Sequence, residues 1–510
     1  MKFKKTILIL LLIIFIAMLF RLSAVLSSKS FWFDEVVSIE IAKKGIIESW
    51  QYLKWENNPP LHYWFLHWWI KLFGAYEIPA RLSSLLFSIF GVIAIYFLGR
   101  KLISRRVGLI ASFLIAISVL HISLSQDARM YPMLFFFAIV SCYYFWEIMH
   151  GRRNRINWFL YILSTVLAYY THILGLFLFV IQNIYFIYKH YFLPKDREIK
   201  KLWIYSQAVS VGLFLPWLYF FIIKAIILLN GSAWYFHTSG GGFFLLEIPR
   251  GFLFLGAESP IIEFVGLIFF GIFLTYSLVR VKEWSAERME FKVEFTIQPA
   301  TVFCWLIFLV PLMAGFIIQL WVIKYYAISS IGFFLLVATG ISNLKIVNKY
   351  RFALICMIFM MSLPYNFIAI TSYGQHQWAN AADYVLSKEK IGDKIFIPAF
   401  IYKLPFDYYY KGNVEVIGYE PLGLESDLLF KTVKYNWCPI ISKENMPDIG
   451  EVIGNAQRVI VIYSGTIAIM YKTDLVLDWF TENDWDLETR EEFGGFANLA
   501  VLIFRRPGDE

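Results

Sequence analysis

The sequence predicts a polytopic α-helical membrane protein of about eleven transmembrane helices, with a long first outer loop of juxtamembrane helices and a C-terminal soluble α/β domain. Three observations lead there. Hydrophobic residues make up 59% of the 510-residue chain and charged residues 16%, against about 45–50% and about 25% in soluble proteins. Apolar runs of the length needed to cross a bilayer core recur as far as residue 371, and each would need about 20 residues of helix. Charge is also sorted along the chain: residues 372–510 carry 13 Lys and Arg against 21 Asp and Glu, and the remainder carries 33 against 17. A purely soluble enzyme, a secreted disulfide scaffold and a disordered protein are all excluded. The net charge of +8 reflects sorting across a bilayer, with no nucleic acid as a partner.

The candidate spans are Lys5–Leu26, Arg81–Leu98, Val107–Leu124, Tyr131–Met149, Asn157–Tyr170, Ile173–Tyr188, Leu202–Ile223, Ile261–Val279, Ala300–Leu320, Tyr325–Ile341 and Phe352–Thr371. With the N-terminus cytoplasmic, the inner segments hold 22 Lys and Arg and the outer side 10, Arg81 included. The positive-inside rule fits this arrangement. An odd number of spans then puts the C-terminal domain outside the cytoplasm, in a chain integral to the cell or inner membrane. The first span has a basic start at Lys2, Lys4 and Lys5 but no small-residue cleavage site, so it reads as a retained anchor.

Pro59–Phe73 is apolar but short. Its fifteen residues make a helix of about 22 Å, too short to cross. Leu61, Trp64, Phe65, Trp68, Trp69 and Leu72 fall on one helical face, which suits a helix lying in the membrane surface with its tryptophans at headgroup depth. The expected organisation is therefore a transmembrane domain over 1–371, with its first outer loop at 27–80, and a soluble domain over 372–510. In the latter, Gln377–Lys388 reads as a helix, and Lys394–Pro398, Arg458–Tyr463 and Leu499–Phe504 as strands. It contains no Gly-rich phosphate loop. Cys142, Cys304, Cys356 and Cys438 have no metal-ligand spacing and read as small buried or lipid-facing residues.

Charge at the ends of membrane spans is expensive and often retained for function. Asp34 and Glu35 follow the first span, Arg81 opens the second, Asp127 and Arg129 lie between the third and fourth, and Lys324 precedes the tenth. All lie on the outer side in this topology, so carboxylates and cations at one depth could bind an anion and take a proton. Each also has a plainer reading. Asp34 could cap a helix over Glu35–Lys44 that ends at Gly45, Arg81 and Lys324 could snorkel to headgroups, and Asp127 and Arg129 could form a solvated pair. His62, His67 and His172 lack zinc spacing.

Trp32-Phe33-Asp34-Glu35, followed by Asn58-Pro59-Pro60-Leu61-His62-Tyr63-Trp64, resembles the first outer loop of GT-C membrane glycosyltransferases. Ala80-Arg81-Leu82, Ser125-Gln126-Asp127-Ala128-Arg129-Met130-Tyr131 and Tyr170-Thr171-His172 continue the likeness, which is strongest over residues 30–185 and thins towards Tyr326. The branch it resembles is that of protein O-mannosyltransferases and lipid A aminoarabinose transferases. This chain has Asn57-Asn58 where the latter have Glu-Lys before Pro-Pro.

The resemblance implies a polyprenyl-phosphate-dependent glycosyltransferase, a hexosyl- or pentosyltransferase that moves one monosaccharide to an extracytoplasmic protein, glycolipid or glycan with inversion. It implies Asp34 as general base and puts Asp127 at the second acidic position; Glu35, paired with Asp34 in the sequence, is the third catalytic candidate. Arg81, Arg129 and Lys324 would bind the donor phosphate, and His62, His172, Tyr131 and Tyr325 would contact substrate. It fixes no cofactor; a divalent metal is left open. The chemistry is coherent: the leaving polyprenyl phosphate gains charge that prefixed cations stabilise, and a hydroxyl acceptor needs a carboxylate base. Two alternatives stand beside it. A ligase or polymerase would use polyprenyl-diphosphate oligosaccharides, and a flippase of lipid-linked sugar would move its cargo without forming a glycosidic bond.

Overall fold

A computed structural model describes residues 2–27, 30–56, 58–192, 197–229, 251–252, 260–285, 290–295, 297–318, 320, 322–371, 377–418, 449–465, 474–493 and 498–506. The chain divides into two compact units, one of Met1–Leu26, Asn57–His62 and Arg81–Ile370, the other of Ser27–Glu56, Tyr63–Ala80 and Thr371–Glu510.

The first unit is a helical bundle. Among the described residues, eight helices are long and apolar enough to cross a membrane: Lys4–Ser27, Glu77–Leu102, Tyr131–Met149, Ile173–Tyr191, Ile199–Ile222, Pro299–Ile317, Ile323–Asn343 and Asn348–Thr371. A further candidate is broken, with Arg105–Ala116 and Val119–Ser125 meeting at 60°. The two remaining expected spans fall on Arg155–Thr171, of 17 residues, and Pro260–Leu278. The segment after the latter forms an antiparallel hairpin of β1 (Val279–Ser285) and β2 (Glu290–Phe295). Its alternation of apolar and charged residues has the two-residue period of a strand.

Helix Ala327–Asn343 is buried continuously from Ala327 to Ile341. Two glycines let its neighbours approach to backbone contact: a Cβ at Gly332 would stand 2.3 Å from the carbonyl oxygen of Cys304, and one at Gly340 2.0 Å from that of Phe273. Polar side chains join four other helices. The Tyr161 hydroxyl donates to Gln182 Oε1 (2.8 Å) and accepts from Gln207 Nε2 (2.8 Å), while Gln182 Nε2 donates to Ser141 Oγ (2.9 Å). In lipid, where water cannot satisfy these groups, such bonds hold helices together.

The broken helix has an identifiable support. A helix end exposes carbonyls without intrahelical partners, and these are costly in a hydrocarbon setting. Arg21, fully buried, donates to the carbonyls of Ile115 (3.0 Å) and Ala116 (2.8 Å) and to Ser88 Oγ (2.7 Å). Asn366 Nδ2 covers the carbonyl of Ile117 (3.1 Å). Ser118 then caps the second half, its hydroxyl oxygen accepting from the His121 N–H.

In the second unit, a five-stranded sheet has the order β4-β3-β5-β7-β6, with β3 Lys394–Ile397, β4 Val416–Gly418, β5 Arg458–Ser464, β6 Asp486–Phe493 and β7 Leu499–Arg505. β3 runs parallel to β4 and β5; β7 is antiparallel to β5 and β6. Both faces are covered. Ile395, Ile460 and Ile503 pack under helices Trp378–Lys388 and Lys403–Tyr409, and Phe396, Val461 and Phe504 under Ile449–Ile453 and Asp474–Glu482. Double burial explains why β5 and β7 read as unbroken apolar runs.

The same unit holds helices Phe33–Lys43 and Gly45–Leu53 and most of the surface helix Leu61–Phe73. Gly45 takes φ +78° at the junction of the first two, a conformation that favours glycine. In Leu61–Phe73, Tyr63, Leu66 and Ile70 are buried in the protein, while Trp68, Leu72 and Phe73 are exposed. The expected apolar face is thus the one turned away from the protein. Cys142 and Cys304 are buried and Cys356 half-buried; Cys438 lies outside the described residues.

Candidate active site

In the helical bundle, the site residues gather around the turn that follows the broken helix. Gln126 ends Val119–Ser125, and its Nε2 donates to the carbonyl of Ala369 (3.2 Å). The Arg129 N–H reaches the carbonyl of Asp127 at 2.7 Å, closing a tight turn before helix Tyr131–Met149 begins. Ser84, on helix Glu77–Leu102, grips this turn: its hydroxyl donates to the Arg129 carbonyl (3.0 Å) and accepts from the Arg129 N–H (3.2 Å). Arg81 lies one turn before Ser84 on the same helix. Arg81, Asp127 and Arg129 are 1%, 6% and 5% exposed.

His62 and His172 border the turn. His62 Nε2 bonds to the carbonyl of Ala128 (3.2 Å), so the ring proton resides on Nε2. His172 Nδ1 accepts from the Leu174 N–H (3.1 Å), which leaves the proton of a neutral ring on Nε2. Burial, reinforced by the positive charge of Arg129, lowers the pKa of each to about 3; Lys324 adds to the effect on His172. Both rings are neutral at physiological pH.

Lys324 sits in the short turn Ile323–Tyr326. Its ammonium lies 5.6 Å from the centre of the Tyr131 ring and 6.0 Å from that of Tyr325. Tyr131 stands 5.4 Å from His172 and 6.2 Å from Tyr325, ring centre to ring centre. Asp127, Arg129, Tyr131, His62, His172, Lys324 and Tyr325 thus form one neighbourhood, drawn from four separate stretches of sequence. With the histidines neutral, and with Arg81 added from the helix that carries Ser84, three cations and one carboxylate give a formal charge of +2, suited to a phosphate dianion. Among the described residues, no group of three or more His, Cys, Asp or Glu is placed to hold a metal ion.

Asp34 and Glu35 belong to the other unit. Their helix starts at Phe33 with Trp32 as N-cap, so Asp34 lies in the first turn instead of capping it. The cap is made by Glu35, buried, whose Oε2 accepts from the Trp32 N–H (3.2 Å). Asp34 is half-buried at a helix N-terminus, where the backbone dipole favours its ionised form. The preceding N–H, of Phe31, is held by Tyr409, whose hydroxyl accepts it at 2.6 Å and donates to Glu77 Oε1 at 2.6 Å. Ser30 Oγ accepts from the Ala379 N–H (2.9 Å). Ser84 and Tyr409 are not singled out from the sequence, and Glu77 stands out only beside Arg81 in the resemblance. Ser84 carries a signal of position, three residues after Arg81; Tyr409 offers only a run of tyrosines.

Residues 57–220 match the family model described as dolichyl-phosphate-mannose-protein mannosyltransferase. The whole chain is similar to ArnT from Cupriavidus metallidurans in the apo state, with 97% of each chain covered, 14% identity and a TM-score of 0.59. The chain has the GT-C fold. ArnT bound to undecaprenyl phosphate shares it (13% identity, TM-score 0.57, 97% of both chains), as does the Archaeoglobus fulgidus oligosaccharyltransferase (14% identity, TM-score 0.56, 96% of this chain and 72% of that one). A curated relative, an uncharacterized protein of Aquifex aeolicus, is 24% identical over 250 residues, 44% of this chain. The match spans about half the length of that relative, 49%. The likeness to ArnT, covering 97% of this chain, takes in both the bundle and the C-terminal sheet.

Proposed function

We propose that this chain is a glycosyltransferase that moves one monosaccharide from a polyprenyl-phosphate donor to an acceptor hydroxyl outside the cytoplasm, with inversion at the anomeric carbon. The observation that carries the reading is the buried, net-positive neighbourhood around the Asp127–Arg129 turn, in a fold shared with ArnT bound to undecaprenyl phosphate. An archaeal relative in fold, AglB from Archaeoglobus fulgidus, is described in complex with an inhibitory peptide and a dolichol-phosphate (13% identity, TM-score 0.53).

In this reading the N-terminus is cytoplasmic and the C-terminal domain extracytoplasmic, following the distribution of Lys and Arg. Arg81, Arg129 and Lys324 bind the donor phosphate. As the glycosidic C–O bond breaks, the phosphate passes from monoanion to dianion, and fixed cations in a poorly solvated site stabilise the added charge without reorganising. Asp34, half-buried in the first turn of its helix, removes the acceptor proton as the new C–O bond forms. Asp127 orients the acceptor. Glu35, occupied with the Trp32 N–H, supports the geometry around Asp34. Neutral His62 and His172 offer hydrogen bonds without competing for the proton, and Tyr131 and Tyr325 present aromatic faces suited to a sugar ring.

The test is transfer by the purified chain in lipid nanodiscs from a panel of undecaprenyl-phosphate monosaccharides, beginning with mannose, set against diphosphate-linked oligosaccharides. Wild-type protein consumes a monosaccharide-phosphate donor, and Asp34→Asn, equally folded, does not. Near-normal turnover by Asp34→Asn removes that residue from the mechanism. Consumption of the diphosphate donors alone overturns the choice of donor class.

A further inference from the structure

The C-terminal sheet of the second unit presents its Lys403–Tyr409 helix in two different ways. Leu404, Pro405 and Phe406 are buried, with Phe406 in the core of the sheet and stacked on Tyr410 at 5.2 Å between ring centres. Tyr408 and Tyr409, on the following turn, instead engage two segments that lie more than 300 residues earlier in the chain. The Tyr408 hydroxyl donates to the carbonyl of Ala75 (2.9 Å), its ring meets Phe31 edge-on at 5.7 Å, and Lys43 lies over it at 4.6 Å. Tyr409 joins the Phe31 N–H to the Glu77 carboxylate with both bonds at 2.6 Å.

These contacts converge on the three residues that lead into the Asp34 helix. Ser30 is tied to the N–H of Ala379, Phe31 to Tyr409, and Trp32 to Glu35. Asp34 is two residues further on. A helix fixes its side chains relative to its own first turn, so whatever holds residues 30–32 also sets the direction of the Asp34 carboxylate. Burial, strengthened by the hydrogen bond to Glu77, holds the Tyr409 phenol far above its ordinary range. Its proton therefore stays in place to bridge to Glu77 at every physiological pH.

We infer that Tyr409 is a positioning residue for Asp34, and that the C-terminal sheet is the frame which aims the catalytic carboxylate. This rests on the reading of Asp34 as the base, and it gives the domain a role in the reaction itself. Catalysis depends on placing reacting groups to within a fraction of an ångström, so loss of the frame should slow the chemical step more than it weakens donor binding.

The full chain in nanodiscs of phosphatidylethanolamine and phosphatidylglycerol provides the test, by hydrogen–deuterium exchange over residues 30–35 and by kinetics with undecaprenyl-phosphate mannose, or whichever donor of the panel the wild type consumes. Tyr409→Phe keeps the ring and removes the hydroxyl. Exchange at Phe31 should rise by about tenfold or more, kcat should fall by a similar factor, and donor KM should stay within about twofold. Glu77→Gln retains an acceptor for the phenol and should restore most of the rate that Glu77→Ala loses. Were Tyr409→Phe to unfold, the Glu77 pair would carry the same comparison. Unchanged exchange, or faster exchange with kcat intact, overturns the inference. If wild-type protein consumes no polyprenyl-phosphate sugar, the glycosyltransferase reading fails, and the exchange measurement alone decides whether the frame exists.

Discussion

The hydroxyl of Ser84 holds both backbone groups of Arg129, donating to its carbonyl at 3.0 Å and accepting from its N–H at 3.2 Å. Ser84→Ala leaves the buried carbonyl unsatisfied at that point, a loss of about 1–2 kcal/mol. The expected result is a lower melting temperature and a donor KM raised by up to about tenfold, since the turn carrying Arg129 is loosened. Thermal unfolding in detergent and initial rates would measure the two effects.

Arg81 and Arg129 are deeply buried, and Lys324 is only partly so. Alanine at either arginine should lower kcat/KM for a polyprenyl-phosphate donor by roughly 10–100-fold, the size of a charge-assisted bond of about 1.5–3 kcal/mol. Lysine at either position should recover little, because an ammonium cannot reproduce the planar fork of a guanidinium. Lys324→Ala should cost less than either, and equal losses at all three positions would count against a graded phosphate site.

Stability should fall in acid through His62 and His172. Each has a folded-state pKa of about 3 against 6.5 for the free side chain, so between those values the unfolded chain binds the additional protons. Their contribution is complete above pH 6.5 and declines as pH falls towards 3. At pH 5 each histidine should cost about 2 kcal/mol. Melting temperatures of wild type, His62→Gln and His172→Gln at pH 7 and pH 5 test this; the variants should lose less on acidification.

Arg21 touches no acidic side chain in its hydrogen bonds; its guanidinium serves carbonyls and Ser88. Arg21→Leu should destabilise the bundle by roughly 3 kcal/mol or more, because it strands several buried acceptors at once. Arg21→Lys should fall between that variant and wild type. Yield after membrane extraction and melting temperature would rank the three.

Much of the membrane architecture was legible because burial in lipid imposes length and composition on each span. The helix Leu61–Phe73 was readable from the spacing of its apolar residues. What escaped depends on partners far along the chain. Arg21 looks like a misplaced charge until residues 115 and 116 are folded against it, and nothing local marks Tyr409 as the partner of Phe31. β6 was missed because an exposed edge strand carries charge on both faces: Asp486–Phe493 contains four carboxylates and one arginine, a composition that discourages pairing with other chains. At the site, the sequence named the residue types but not their grouping. His62, Arg129, His172 and Lys324 become neighbours only through the bundle.

The anchoring of the Gln126 turn also constrains biogenesis. Besides Ser84, the turn is held by Ala369, reached by Gln126, and the break before it by Asn366, which covers Ile117; both lie on helix Asn348–Thr371. A nascent chain inserted only as far as its earlier spans lacks these contacts, so the break and the turn gain their full set of hydrogen bonds only after residue 369 has left the ribosome. Truncated or stalled products should accordingly enter the membrane with this turn less firmly held.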